Sequence, residues 1–188
     1  ASSHDKELMT SSSSSIPFHI SWLIDTRRIL KTADGRPVRI FELKHGRDEP
    51  ILSAWAKHFR NQYCDDGQID VLRNGTKLSR AEYLRNIKFP DSTDRPGPSI
   101  RAGDFGEILV ADYVEFALGY WLPRTRYDQK AVRNESTKGA DIIGFKIIAP
   151  GRDDLNDTLS VFEAKAQRTG NKPNGRLQAA VDGSAKDE

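Results

Sequence analysis

A single cysteine, Cys64, stands in 188 residues, which excludes an internal disulfide and any zinc cluster built from several thiolates, and fits a reducing compartment. No apolar run approaches the roughly 20 residues of a membrane span. The N-terminus also lacks the apolar core of a secretory signal. Neither sign of charge dominates: 29 Lys and Arg against 27 Asp and Glu leave +2. The overall balance therefore does not argue for a polyanion partner, and any nucleic-acid footprint has to be local. Internal repeats are missing as well. Together these absences predict a cytoplasmic chain with no membrane segment. The 37% hydrophobic and 30% charged residues fit one soluble domain of ordinary size with an appendage.

The organisation follows from punctuation and periodicity. Residues 1–15, with five serines at Ser11 to Ser15 and no initiator methionine, read as a disordered leader. Residues 16–89 read as a small α+β domain. In it, Phe18, Ile20, Trp22 and Ile24 alternate as in a strand, Asp34-Gly35-Arg36-Pro37 turns, and Val38 to Leu43 gives a second strand. Ile51, Leu52, Trp55 and Phe59 have helical spacing after Pro50, Ile69 to Leu72 reads as a short strand, and Ser79 caps a helix through Ile87. His45 and His58 stand alone and read as ordinary surface or core residues. Residues 90–99, with three prolines and a glycine from Pro90 to Pro98, read as a linker. Residues 100–188 form the second, α/β domain.

Chemistry concentrates in that second part. Arg101 to Leu118 predicts a helix in which Glu107 heads an apolar stripe through Val110, Ala111, Val114 and Leu118. The competing reading is a capping box from Asp104 to Glu107, which requires the helix to start at Asp104. Gly119 breaks the helix, and Tyr120-Trp121-Leu122 starts an edge strand stopped by Pro123. Arg124, Arg126, Lys130, Arg133 and Lys138 then form a basic loop. Such a run is commonly a solvated face, but beside an acidic site it suits phosphate-backbone contacts. Two strands follow, Gly139 to Ile148 and Leu159 to Gln167, joined by a polar loop from Asp153 to Asp157. Alternation puts Asp141 with Ile143, Phe145 and Ile147, and puts Glu163 and Lys165 with Leu159 and Val161. Charges on faces that otherwise read as core require a metal, a counter-charge or a substrate. Structural ion pairs among Asp141, Glu163 and Lys165 are the plainer alternative. After a turn-rich basic loop, Leu177 to Val181 begins another helix.

Glu107 on a helix, Ala140-Asp141 at a strand start, and Glu163-Ala164-Lys165 in the next strand follow one another 34 and 22 residues apart. This order resembles the PD-(D/E)XK nuclease superfamily, with alanine where the motif has proline. The resemblance implies a restriction-endonuclease-like mixed sheet flanked by helices, with Glu107, Asp141 and Glu163 as ligands of Mg2+ or Mn2+, Lys165 as the catalytic lysine, and Gln167 as an auxiliary polar residue. Gly103-Asp104-Phe105-Gly106-Glu107-Ile108-Leu109 together with the two later motifs is similar to the HamA family of the Hachiman anti-phage system. That similarity implies DNA cleavage together with a helicase partner, HamB. The superfamily core is αβββαβ, and the chain stops as its second helix starts, so truncation, or completion by a partner, is expected. The alternative function is a catalytically silent module binding nucleic acid or a helicase, its acids structural.

Overall fold

A computed structural model describes residues 16–130, 132–136, 139–167 and 175–184. Its first element is a 3-10 turn, Phe18–Trp22, where alternation predicted a strand. The Ser21 hydroxyl donates to the Phe18 carbonyl at 2.7 Å, a local closure that apolar alternation does not reveal. The strand starts later, as β1 (Leu23–Lys31), and pairs antiparallel with β2 (Pro37–Leu43) across the predicted turn, with Leu23 opposite Leu43 and Leu30 opposite Val38. A bulge lies between Asp25 and Ile29, with Arg27 at positive φ. The Asp25 carboxylate accepts from the Arg27 N–H and from Arg39 there. Helix α1 (Glu49–Asn61) follows, with Pro50 in its first turn where no N–H is needed.

Described residues up to Trp55, together with Ile147–Thr158, form one compact unit; Ala56–Lys146 and the described residues from Leu159 onward form another. The proline-rich stretch expected as a linker thus lies inside the second unit. It is pinned there by its own hydrogen bonds. The Asp91 carboxylate accepts the Thr93 and Asp94 N–H groups at 2.8 and 2.9 Å, and Arg101 donates to the Pro90 carbonyl at 2.7 Å.

In the second unit, Ile69–Leu72 is a short helix, α2, and not the predicted strand. Asp65 nucleates it: its side chain accepts from Gly67 N–H, and its carbonyl accepts from Ile69 N–H. Four residues of mixed polarity leave periodicity no means of distinguishing the two. Helix α3 (Arg80–Tyr83) has the predicted Ser79 cap, completed by Glu82 as a capping box, and runs on as a π turn through Lys88. Cys64, Ile69, Tyr83 and Leu84 bury together beneath Leu78 and Phe89.

Helix α4 (Gly97–Asp112) starts earlier than expected, with Pro98 in its first turn, and continues as a π turn, Tyr113–Ala117. Gly119, at φ +74°, ends it. Strand β3 (Ile142–Lys146) pairs with β4 (Thr158–Phe162), and Trp121 adds an antiparallel bridge to Phe145 on the other side. Ala111, Val114, Leu122 and Ile142 form the core between helix and sheet, with Val110, Leu118, Tyr120 and Phe162 packed around them. Helix α5 (Arg176–Ser184) is the last described element. The result is a mixed α/β chain with two small two-stranded antiparallel sheets. Among the described residues no helix is long and apolar enough to cross a membrane.

The predicted faces of β3 and β4 are reversed. Ile142 and Gly144 turn inward while Ile143 is exposed; in β4, Ser160 and Phe162 turn inward while Leu159 and Val161 are exposed. A single-residue error of phase exchanges every side chain between faces. The phase was set by the long apolar side chains, whereas Gly144 supplies the inward position against which Tyr120 and Phe162 pack.

Candidate functional site

Asp141 sits immediately before β3, and Glu163 to Gln167 run on past the end of β4. The acids therefore lie at the ends of the strands and not within them as predicted. What brings them to α4 is a close backbone approach. A Cβ on Gly106 would fall 2.6 Å from the Ala166 Cβ, so only glycine lets the helix lie against the segment carrying Glu163 and Lys165. From the other side α5 closes on the same segment: a Cβ on Gly183 would fall 2.7 Å from Glu163 Oε1.

Within this frame the three acids expected as a site gather around two cations, Arg126 and the expected Lys165. Arg126 donates from Nε to Glu107 Oε2 at 3.1 Å, from Nη2 to Asp141 Oδ1 at 3.0 Å, and from Nη1 to the Ala140 carbonyl at 2.5 Å. Lys165 Nζ pairs with Glu163 Oε1 and lies 3.8 Å from Asp141 Oδ2. The Ala164 N–H donates to that same Oδ2 at 2.9 Å. The Tyr127 hydroxyl donates to Glu107 Oε2 at 2.7 Å. The side chains of Glu107, Asp141 and Glu163 are only 13, 10 and 12% exposed. Gln167 is exposed beyond them.

Helix α4 starts seven residues before Asp104, so the capping-box reading of Glu107 does not hold. Asp104 is instead buried in mid-helix, accepting from the Tyr63 hydroxyl at 2.7 Å and from Lys130 Nζ at 2.9 Å. Glu107 lies one turn on, facing the protein. Burial pushes its carboxyl above the usual glutamate range and the Asp141 charge adds to that, while the Tyr127 hydrogen bond and Arg126 oppose it. Burial against these carboxylates also pushes the Tyr63 and Tyr127 hydroxyls up, so both stay protonated as donors.

The basic loop, expected either as a solvated face or as a phosphate-backbone contact, turns its described cations to acids of the chain. Arg124 pairs with Asp112 at 2.8 Å and Glu115 at 2.5 Å, Arg126 with Glu107 and Asp141, Lys130 with Asp104, and Arg133 with Asp91 at 2.9 Å. Lys138 lies outside the described residues. Each described cation of the run is thus matched to an acid, three of them to acids of α4 and its π extension. The physical reason is the acidity of the helix face over which the loop runs: Asp104, Glu107, Asp112 and Glu115 need counter-charges. Sequence reasoning missed this pairing, and with it the parts played by Arg126 and Tyr127. His58, read as an isolated histidine, contacts Asp112 Oδ1 at 2.9 Å.

The donor set can be tested against a divalent ion. Carboxylates from three separate elements offer hard oxygens of the kind Mg2+ or Mn2+ takes, with room for water and a phosphate to complete the shell. Arg126 and Lys165 lie among those oxygens, so an ion would share them with two cations. By donor type the residues suit the group, and in this structure their oxygens are held by Arg126, Lys165, Tyr127 and the Ala164 N–H. A cleft of about 370 Å³ opens beside Glu107 and Asp141, bordered by Gln62, Thr125, Arg126 and Gln129.

No curated protein and no solved structure matches the chain. A family model described as HamA matches residues 17–188. That match takes in both the α4 glycines and the two acidic motifs, so the chain belongs to the HamA family, a component of Hachiman anti-phage defence.

Proposed function

We propose that this chain is a metal-dependent deoxyribonuclease that hydrolyses phosphodiester bonds as the effector of its defence system, together with a helicase partner. The observation that supports it best is the meeting of Glu107, Asp141, Glu163 and Lys165 from helix, pre-strand loop and post-strand segment, at low exposure and beside an open cleft. In this reading α4, β3 and β4 are the first elements of a restriction-endonuclease-like core.

Glu107, Asp141 and Glu163 would hold Mg2+ or Mn2+. Bound there, the ion supplies a Lewis acid for a phosphoryl oxygen and a bound water of lowered pKa. The rest belongs to the chain. The Ala164 N–H fixes one oxygen of Asp141, and the Tyr127 hydroxyl fixes one of Glu107, so both carboxylates are oriented before substrate arrives. Lys165, about one-third exposed, presents a compact point charge that stabilises charge building on the phosphate.

A second reading also has an observation in its favour: Arg126 and Lys165 already neutralise the acids, as they would in a structural cluster of a silent binding module. Supercoiled plasmid incubated with the purified chain and Mg2+ or with chelator, with and without the helicase and ATP, separates the two. Metal-dependent nicking or degradation supports the nuclease. Intact plasmid under every condition supports the silent module.

A further inference from the structure

The Asp141 carboxylate has its two oxygens committed differently. Oδ2 accepts the Ala164 N–H at 2.9 Å and faces Lys165. Oδ1 accepts Arg126 Nη2 at 3.0 Å. The same guanidinium donates to Glu107 Oε2 at 3.1 Å, so its planar fork spans the two carboxylates nearest the cleft. An ion held by both Glu107 and Asp141 would meet the guanidinium at Glu107 Oε2 and Asp141 Oδ1. Arginine cannot surrender them by losing a proton; it has to move aside. It is carried on a turn that borders the cleft, and its Nη1 donates to the Ala140 carbonyl.

We infer that Arg126 and a divalent cation compete for Glu107 and Asp141, so that Arg126 sets the ion concentration at which the site fills and is released from both acids when it does. This rests on the proposed metal site and adds to it a residue that opposes loading. Arg126 thereby differs from Arg133, which belongs to the same loop but pairs with Asp91 and the Arg85 carbonyl, apart from the site acids.

Calorimetric titration of the full chain with Mn2+ tests it, comparing wild type, Arg126→Gln, Arg133→Gln and Asp141→Asn. Arg126→Gln is expected to bind at least about tenfold more tightly, about 1.4 kcal/mol, with Arg133→Gln within about twofold of wild type and Asp141→Asn abolishing binding. In the wild type, the Arg126 Nε–H resonance is expected to shift and lose exchange protection as Mg2+ saturates the site. This second readout decides the matter if Arg126→Gln fails to fold. The inference is overturned, with the metal site intact, if Asp141→Asn abolishes binding but Arg126→Gln binds no more tightly than wild type. Equal tightening by Arg133→Gln, or an Arg126 resonance unmoved at saturation, overturns it in the same way. Unchanged binding by Asp141→Asn removes the metal site itself and the inference with it.

Discussion

Two glycines three residues apart on α4 carry opposite predictions. Gly103 has space: a Cβ there would meet nothing closer than Glu107 Oε1 at 3.9 Å. Replacing it with alanine removes the backbone entropy that glycine loses in a helix and is expected to stabilise by about 0.5–1 kcal/mol. Gly106 has none. Its added Cβ would lie 2.6 Å from the Ala166 Cβ and 3.5 Å from the Ala166 Cα, and neither atom belongs to a flexible side chain that could swing away. The propensity gain is the same, but overpacking costs about 1–3 kcal/mol, leaving Gly106→Ala destabilised by about 1 kcal/mol. For a chain of this size that amounts to a fall of about 2–4 °C in Tm, against a rise of about 1–4 °C for Gly103→Ala. On the proposed function, the consequence for cleavage is larger than the thermal one. The segment pushed off the helix carries Glu163 and Lys165, and a displacement of about 1 Å in a catalytic group costs on the order of 10²-fold in rate. Thermal melts and plasmid cleavage on both variants measure the two effects. A Gly106→Ala protein as stable as Gly103→Ala and as active as wild type would refute the close approach of helix and segment.

Three further outcomes follow from the same geometry. Lys130→Met leaves Asp104 buried with only the Tyr63 hydroxyl of its two side-chain partners, and is expected to destabilise by about 3–5 kcal/mol in urea unfolding; Asp104→Asn added to it is expected to restore part of the loss, whereas a merely solvent-facing lysine would show neither effect. Tyr127→Phe removes a hydrogen bond that holds the raised Glu107 carboxyl down. Since binding of an ion needs the ionised form, Mn2+ affinity in this variant is expected to fall away at higher pH than in wild type, and coincident profiles would refute the role given to the hydroxyl. Because folding favours the protonated form of Glu107, its contribution to stability is fully present below the ordinary glutamate pKa and is lost as pH rises through the raised folded value. Gly183→Ala meets the flexible end of Glu163, so it is expected to weaken Mn2+ binding several-fold with a Tm change under about 2 °C, and unaltered binding would show that α5 does not constrain that carboxylate.

Local chemistry made much of this legible from the residues. The Ser79 cap, the turn before β2, the Gly119 helix stop and the long helix bearing Glu107 each follow from a residue type at a position that only a few conformations satisfy. The order of Glu107, Asp141, Glu163 and Lys165 stood out by its resemblance to a nuclease motif, and the structure brings all four near one another. The faces of the two short strands were less legible. Asp141 and Glu163 are shielded because they lie at strand ends beneath α4, not because they point into a sheet core, and the phase of a five-residue strand is too weakly specified to say so. The basic loop shows a different limit. Composition records Arg124, Arg126, Lys130 and Arg133 as positive charge but carries no sign of what they face, and the acids that neutralise the first three lie up to 26 residues away on α4. Pairings between elements are set by packing, and a single sequence read locally does not contain them.

The claim on which all of this depends is that the carboxylate fixed by the Ala164 N–H serves a reacting ion. The Mg2+-dependent cleavage rate of supercoiled plasmid by Asp141→Asn, a change that keeps shape and removes charge, measured beside wild type and with the helicase present, tests it most directly. The account predicts a loss of at least about 10²-fold with the fold retained. Cleavage by Asp141→Asn at the wild-type rate would contradict it.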